Sequence, residues 1–524
     1  MMERARARSG TVAVPAGAIR RAPRGELVQF PSLLSAFTAQ KEKPIRESLR
    51  GGGVMMAAQA FRFLLQMAST MVFARLLTPH DFGYIAMVTA VTGFVALLQD
   101  ANLSTVTVQR AQISDAQVST LFWINVLLSV AVMVGVAALA PTIAWFYHEP
   151  RLVWITLAVA LTFVFGGLSV QHQALLKRNR QFSRLATADV IGMISGFSVG
   201  TFMARNGFGY WALVGATSAS AVVSCAMTWI VCSWRPTWPT RAAGITSMMA
   251  FGGKLTGFQV LTYFTRNFDN IVIGRGLGSV ALGVYSKAYA LLALPINQIN
   301  TPLSSVVIPA LSRLQNRPDE YARFYLRALR TLSFFTLPLV VFSSIFARDV
   351  VFVLLGPKWL PAAVVFQLLA PAALVGAVNV APGWLCISLD KSRQQLIYGL
   401  ISAPVCVIAF LVGVRWGTEG VAAGFSLTYT FLFWAFVRYA TKGSPVTFSD
   451  VFNAFIVPLA ASSTVGLTVW MWRWDLLSGA PAALALAASA VLFAAGYFLV
   501  AMVFSRTRAM LTDTFGGGEA VHYV

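Results

Sequence analysis

The chain has 524 residues, of which 57% are hydrophobic and only 11% charged, and its formal net charge is +21 at pH 7. A soluble domain carries about 25% charged residues, so this sequence has too little polar surface to coat a water-soluble globule. Its long apolar runs indicate membrane-spanning helices instead, the short alternating strands of a transmembrane β-barrel are excluded, and the surplus of Lys and Arg reads as cytoplasmic loops rather than a nucleic-acid interface.

Residues 1–50 stand apart, with ten Lys/Arg and four Glu. They contain no continuous apolar core of the kind a cleaved secretory signal needs. The first 24 residues are Arg-rich, a trait shared with transit peptides. The plainer reading is a disordered basic cytoplasmic tail.

Fourteen hydrophobic segments follow, near 51–77, 82–103, 118–147, 152–176, 187–204, 209–234, 248–274, 280–312, 329–355, 360–389, 394–414, 418–437, 453–473 and 480–504. With the N-terminus inside and sides alternating, the cytoplasmic stretches hold 28 Lys/Arg, the outer turns eight and the helices four. That bias places both ends, including a tail at 505–524, in the cytoplasm. The fold class is therefore all-α and polytopic, with 51–234 as a first lobe, 248–437 as a second and 453–504 as two additional helices. The charged stretch 313–330 reads as a cytoplasmic linker or interfacial amphipathic helix carrying Phe324, Tyr325 and Leu329 among arginines.

The two lobes echo each other. A shift of 200 residues lays Gly52, Gly53, Gln59, Val72, Arg75, Leu77, Gly83 and Ala90 on Gly252, Gly253, Gln259, Val272, Arg275, Leu277, Gly283 and Ala290. Each match opens a run of six apolar segments, as in membrane transporters built from internal repeats.

Ionisable groups inside a bilayer are costly, about 2.5–3.5 kcal/mol on insertion scales, and mark cavities or partners. Arg62, Lys254, Arg266 and Lys287 lie in apolar segments, with Asp269 as the acid among them and Asp189 near the end of the fifth. Arg266 and Asp269 are spaced to pair on a helix. The stretch RNFDNIVIG, 266–274, therefore reads as a polar helix face toward a water-filled interior, or as a structural ion pair between packed helices. The eighth segment carries Pro295, Pro302 and Pro309, with Asn297, Gln298, Asn300, Thr301, Ser304 and Ser305 between them. It reads as a kinked helix lining a pathway.

Catalytic patterns are missing. GGKLTG at 252–257 lacks the first Gly and the hydroxyl residue of a phosphate-binding loop, so no nucleotide hydrolysis is indicated. The four histidines are scattered, and Cys225, Cys232, Cys386 and Cys406 form neither a metal-ligand spacing nor a disulfide framework. No cofactor, metal site or enzymatic activity is expected.

The stretches ARLLTPHDFGYIAMV (74–88), ALLKRNRQFSR (174–184) and NFDNIVIGRGLGSVALGVYSKAYALLALPINQI (267–299) resemble the Wzx-type polysaccharide flippases of the multidrug/oligosaccharidyl-lipid/polysaccharide superfamily. The likeness runs from about residue 48 to 505 and leaves the N-terminal tail without a counterpart. It implies two six-helix lobes in a V-shape around a central cavity, plus two C-terminal helices, in the bacterial inner membrane. It also implies transport of an undecaprenyl-pyrophosphate-linked oligosaccharide for exopolysaccharide, capsule or O-antigen, with membrane lipids and polymerisation or export proteins as partners. On that reading Arg62, Lys254, Arg266 and Lys287 would hold the pyrophosphate. Asp269 with Asn267 and Asn270 would couple a proton or sodium gradient, and Asn297, Gln298 and Asn300 would line the pathway. Drug and cation exporters of the same superfamily are the alternative, disfavoured because cationic cargo calls for an acidic lining.

Overall fold

The computed structural model describes residues 45–100, 103–110, 113–239, 246–476 and 479–503. By packing, the chain divides into Met1–Val54 and Met55–Val524. The first unit contributes the opening turns of α1, and the rest of α1 and all later helices belong to the second.

The helices are α1 (Ile45–Leu76), α2 (Pro79–Asp100), α3 (Leu103–Gln109), α4 (Asp115–Tyr147), α5 (Leu152–Arg178), α6 (Phe182–Arg205), α7 (Trp211–Val231) and α8 (Thr246–Arg313). They continue with α9 (Pro318–Ile345), α10 (Ala347–Leu355), α11 (Pro361–Val378), α12 (Val380–Ser388), α13 (Ser392–Gly413), α14 (Gly417–Ala440), α15 (Phe448–Leu476) and α16 (Ala482–Val503). No strand occurs among the described residues. Each of the fourteen apolar segments coincides with helix over most of its described length. Ten stretches of the described residues are long and apolar enough to cross a membrane.

One expectation changes. The stretch 313–330 is not a separate linker: α9 begins at Pro318 and runs unbroken to Ile345. Its first turns are amphipathic, but Tyr321, Tyr325 and Leu329 enter the protein core while Arg323, Arg327 and Arg330 face outward. The apolar stripe is consumed by packing rather than laid on lipid. Along α8, only Gly278 leaves helical φ/ψ, at φ 84° and ψ −177°. Pro295, Pro302 and Pro309 all lie within the helix after that point, and the seventh and eighth segments are two arms joined at Gly278.

The 200-residue echo is structural. A Cβ on Gly83 would lie 1.8 Å from the Ser279 carbonyl oxygen, and one on Gly283 would lie 1.9 Å from that of Pro79. Residue 279 is 79 shifted by 200, so each repeat presses its glycine onto the other's backbone in a reciprocal, two-fold manner. Only a residue without a side chain permits this approach. The clasp is built on matching turns. Thr78 caps α2, its hydroxyl donating to Asp81 at 2.7 Å, with Pro79 in the first helical position, where the lost N–H costs nothing. Gly278 makes the corresponding turn in the second repeat.

Around the clasp lies the main core. The Trp359 indole N–H donates to the Ala74 carbonyl at 2.7 Å and the ring meets Phe82 edge-on. Tyr147 packs where a side chain on Gly274 would be, 2.8 Å from its Cβ position. Further along the same two helices, the Tyr263 hydroxyl donates to the Thr89 carbonyl at 2.8 Å. The two repeats thus hold each other through α1, α2 and both arms of α8.

Candidate functional site

Arg62 is positioned by α1, where Gln59, Arg62, Gln66 and Ser69 recur every three or four residues and so form one polar stripe. Its guanidinium meets Asp189 of α6 through a single N–H, at 2.8 Å. Both side chains are about a third exposed or less, at 27% and 34%. The Arg62 Nε is buried with no partner. One guanidinium nitrogen is thus engaged and Nε remains a free donor, while Asp189 supplies the local counter-charge that Arg62 needs inside a membrane.

Asp269 is 4% exposed, and its Oδ2 accepts from the Tyr285 hydroxyl at 2.9 Å. Its Oδ1 accepts from the Asn270 backbone N–H at 2.8 Å. The Asn267 amide turns back onto the Tyr263 carbonyl at 3.0 Å. Asp269 therefore bridges the two arms of α8, with Tyr285 as a partner that sequence spacing did not reveal. The side chains of Lys254 and Arg266 lie outside the described residues, so the expected pairing of Arg266 with Asp269 does too.

Lys287 stands over the Phe82 ring, its Nζ 3.9 Å from the centroid. A cation–π contact of this kind joins the second repeat to the first beside the clasp. Among the candidate pathway residues, Gln298 accepts from the Gln59 amide of α1 at 2.6 Å and Asn297 is exposed. Asn300 is buried, with its side-chain oxygen unpaired. Of the two basic candidates whose side chains are described, Arg62 belongs to α1 and α6 and Lys287 to the clasp.

One turn beyond Arg62 and Asp189, α1, α5, α6 and α7 border an open cavity of about 800 Å³. Gln66 and Ser69 line it from α1, Ser169 and Gln173 from α5, and Thr217, Ser220 and Ser224 from α7. Phe73 and Phe197, 6.1 Å apart, line its far end. On α6, Gly192 and Gly196 leave room for the serines: their Cβ positions lie 2.8 Å from the Ser224 Cβ and 2.9 Å from the Ser220 Cβ. Sequence reading missed this wall. Its signal was the spacing of Thr217, Ser220 and Ser224, one helical face within an otherwise apolar segment.

The described residues hold no group of three or more potential metal ligands. The arrangement is that of a multi-pass helical membrane protein of the transporter type, made of two interlocked repeats with polar groups in its interior. The chain belongs to the family described as polysaccharide biosynthesis protein, whose model matches residues 72–364. It is 23% identical over 363 residues to the lipopolysaccharide biosynthesis protein WzxC of Escherichia coli K12, covering 68% of this chain and 73% of that protein. It is 24% identical over 405 residues to an uncharacterized membrane protein in the cps region of Klebsiella pneumoniae, covering 74% and 81%. Among solved structures, the lipid II flippase MurJ in an inward closed conformation superposes with a TM-score of 0.70 at 13% identity, covering 87% of this chain and 99% of that one. That likeness establishes the fold.

Proposed function

We propose that the protein flips an undecaprenyl-pyrophosphate-linked oligosaccharide from the cytoplasmic to the periplasmic leaflet of the bacterial inner membrane, for assembly of a surface polysaccharide. Both termini are cytoplasmic on this reading, which puts the Gly83/Gly283 clasp on the periplasmic side. Transport proceeds by alternating access: the headgroup enters from the cytoplasm, the clasp opens, and the headgroup leaves outward while the polyprenyl tail stays in lipid. No covalent chemistry is involved.

The observation that carries the reading is Arg62, an interior guanidinium held by one carboxylate oxygen with its Nε unpaired. A pyrophosphate offers several anionic oxygens and can engage a guanidinium through two N–H groups at once. It would displace Asp189 and leave that acid to re-neutralise Arg62 after release. Lys287, Lys254 and Arg266 would serve the headgroup further along its path. Asp269, with Asn267 and Asn270 beside it, is the group through which a proton or sodium gradient would act, since it ties together the two arms of α8. Cationic drugs fit less well, because both described interior acids are already engaged, Asp189 by Arg62 and Asp269 by Tyr285.

The test is complementation of a cell that lacks the protein, at matched membrane levels. Arg62→Ala should cut surface polymer at least about tenfold, the loss of a charged hydrogen bond, and lipid-linked oligosaccharide should build up inside. Wild-type export from Arg62→Ala would remove the pyrophosphate role.

A further inference from the structure

We infer that the cavity between α1, α5, α6 and α7 is a binding subsite for the uncharged sugars of the headgroup, an inference that rests on the flippase reading above. Its wall sets hydroxyls and amides among apolar side chains and carries no carboxylate or cation of its own. Gln66, Ser69, Ser220 and Ser224 line the cavity, and none of their side chains has a hydrogen bond to another described residue. Thr217 is different: its hydroxyl donates back to the Leu213 and Val214 carbonyls at 3.1 and 2.9 Å, leaving only acceptor capacity for a ligand.

Neutral polar groups without charge are what a sugar ring requires, since each hydroxyl both donates and accepts. The Phe73 and Phe197 rings at the far end add apolar faces for the C–H side of such a ring. About 800 Å³ falls within the range of small-molecule sites and accommodates a short oligosaccharide. The placement is apt as well. Arg62 lies one turn from Gln66 on α1 and Asp189 one turn from Met193 on α6, so the ion pair stands at the end of the cavity opposite the phenylalanines. A pyrophosphate on Arg62 would leave its attached sugars pointing into the hydroxyl-lined space.

The experiment measures binding of two probes to the purified full-length protein. One is undecaprenyl pyrophosphate without sugar. The other is the lipid-linked oligosaccharide fraction extracted from cells lacking the protein. Wild type should prefer the sugar-bearing lipid by about tenfold or more, and Ser220→Leu, which fills the cavity, should bring that ratio close to one. Should Ser220→Leu bind neither lipid, Ser220→Ala and Gln66→Leu report the same ratio without added bulk at the α6–α7 contact. A wild-type ratio near one, or a ratio that survives all three substitutions, overturns the sugar subsite while leaving the flippase reading intact. Failure of wild type to bind either lipid overturns the flippase reading, and the subsite with it.

Discussion

Replacing Gly83 with Ala places a methyl group 1.8 Å from the Ser279 carbonyl oxygen, 2.5 Å from its carbonyl carbon and 2.8 Å from its Cα. These are backbone atoms in a helix and cannot turn aside as a side chain would. To restore a contact of 3.4 Å, α2 and the second arm of α8 must part by about 1.6 Å. Overpacking of this kind costs about 1–3 kcal/mol or more. Charged only to the clasped state, it lowers that state's population by roughly 5- to 150-fold. The assay is a distance distribution between spin labels at Leu76 and Val280, both exposed. The four native cysteines are all buried, so labelling at introduced sites has little background. Gly83→Ala should move the distribution to longer distances, and Gly283→Ala should do the same, because its contact is the mirror of the first. An unchanged distribution in both, with normal folding, would refute the reciprocal clasp.

Three further outcomes follow from particular contacts. Trp359→Phe keeps an aromatic ring against Phe82 but leaves the Ala74 carbonyl without its donor, so stability should fall by about 1–2 kcal/mol, read as a lower midpoint of thermal unfolding in detergent. Tyr285→Phe removes the hydroxyl from a carboxylate that is 4% exposed and should destabilise by about 1.5–3 kcal/mol. Adding Asp269→Asn should return part of that loss, because a neutral amide is cheaper to leave unpaired; no recovery would mean that Tyr285 matters for packing alone. Gly278→Ala meets no atom within 4 Å, yet sits at φ 84° and ψ −177°. Its cost of about 1–3 kcal/mol is purely conformational, and an Ala variant with an unchanged unfolding midpoint would contradict the turn geometry.

The membrane helices were legible because a bilayer demands long apolar runs, a constraint that acts locally in sequence. The repeat was legible too, since Gly83 and Gly283 keep the same distance from residues 79 and 279 that they touch in exchange. The amphipathic start of α9 was seen but assigned to the wrong solvent: periodicity says that Tyr321, Tyr325 and Leu329 share a face, not whether protein or lipid covers it. Partner choice was less readable still. The spacing of Arg266 and Asp269 suggested a pair within one helix and gave no sign of Tyr285, to which Asp269 bonds 16 residues on, across a turn whose geometry only the fold reveals. Arg62 and Asp189 are 127 residues apart, and no local pattern joins them. The serine wall of α7 was overlooked because hydroxyl residues are common in packed membrane helices and carry no charge to draw notice.

The central claim is movement of a lipid-linked oligosaccharide between leaflets, and the most direct measurement is its sidedness. In inverted membrane vesicles from cells lacking the polymerising step, the lipid-linked oligosaccharide can be scored as accessible or inaccessible to a sugar-cleaving enzyme added outside, the cytoplasmic face. With the protein present, most of it should be sequestered in the lumen. Without the protein, or with Arg62→Ala at equal abundance, it should remain accessible. If the distribution is the same with and without the protein, the chain does not flip this lipid, and its interior charges serve another cargo.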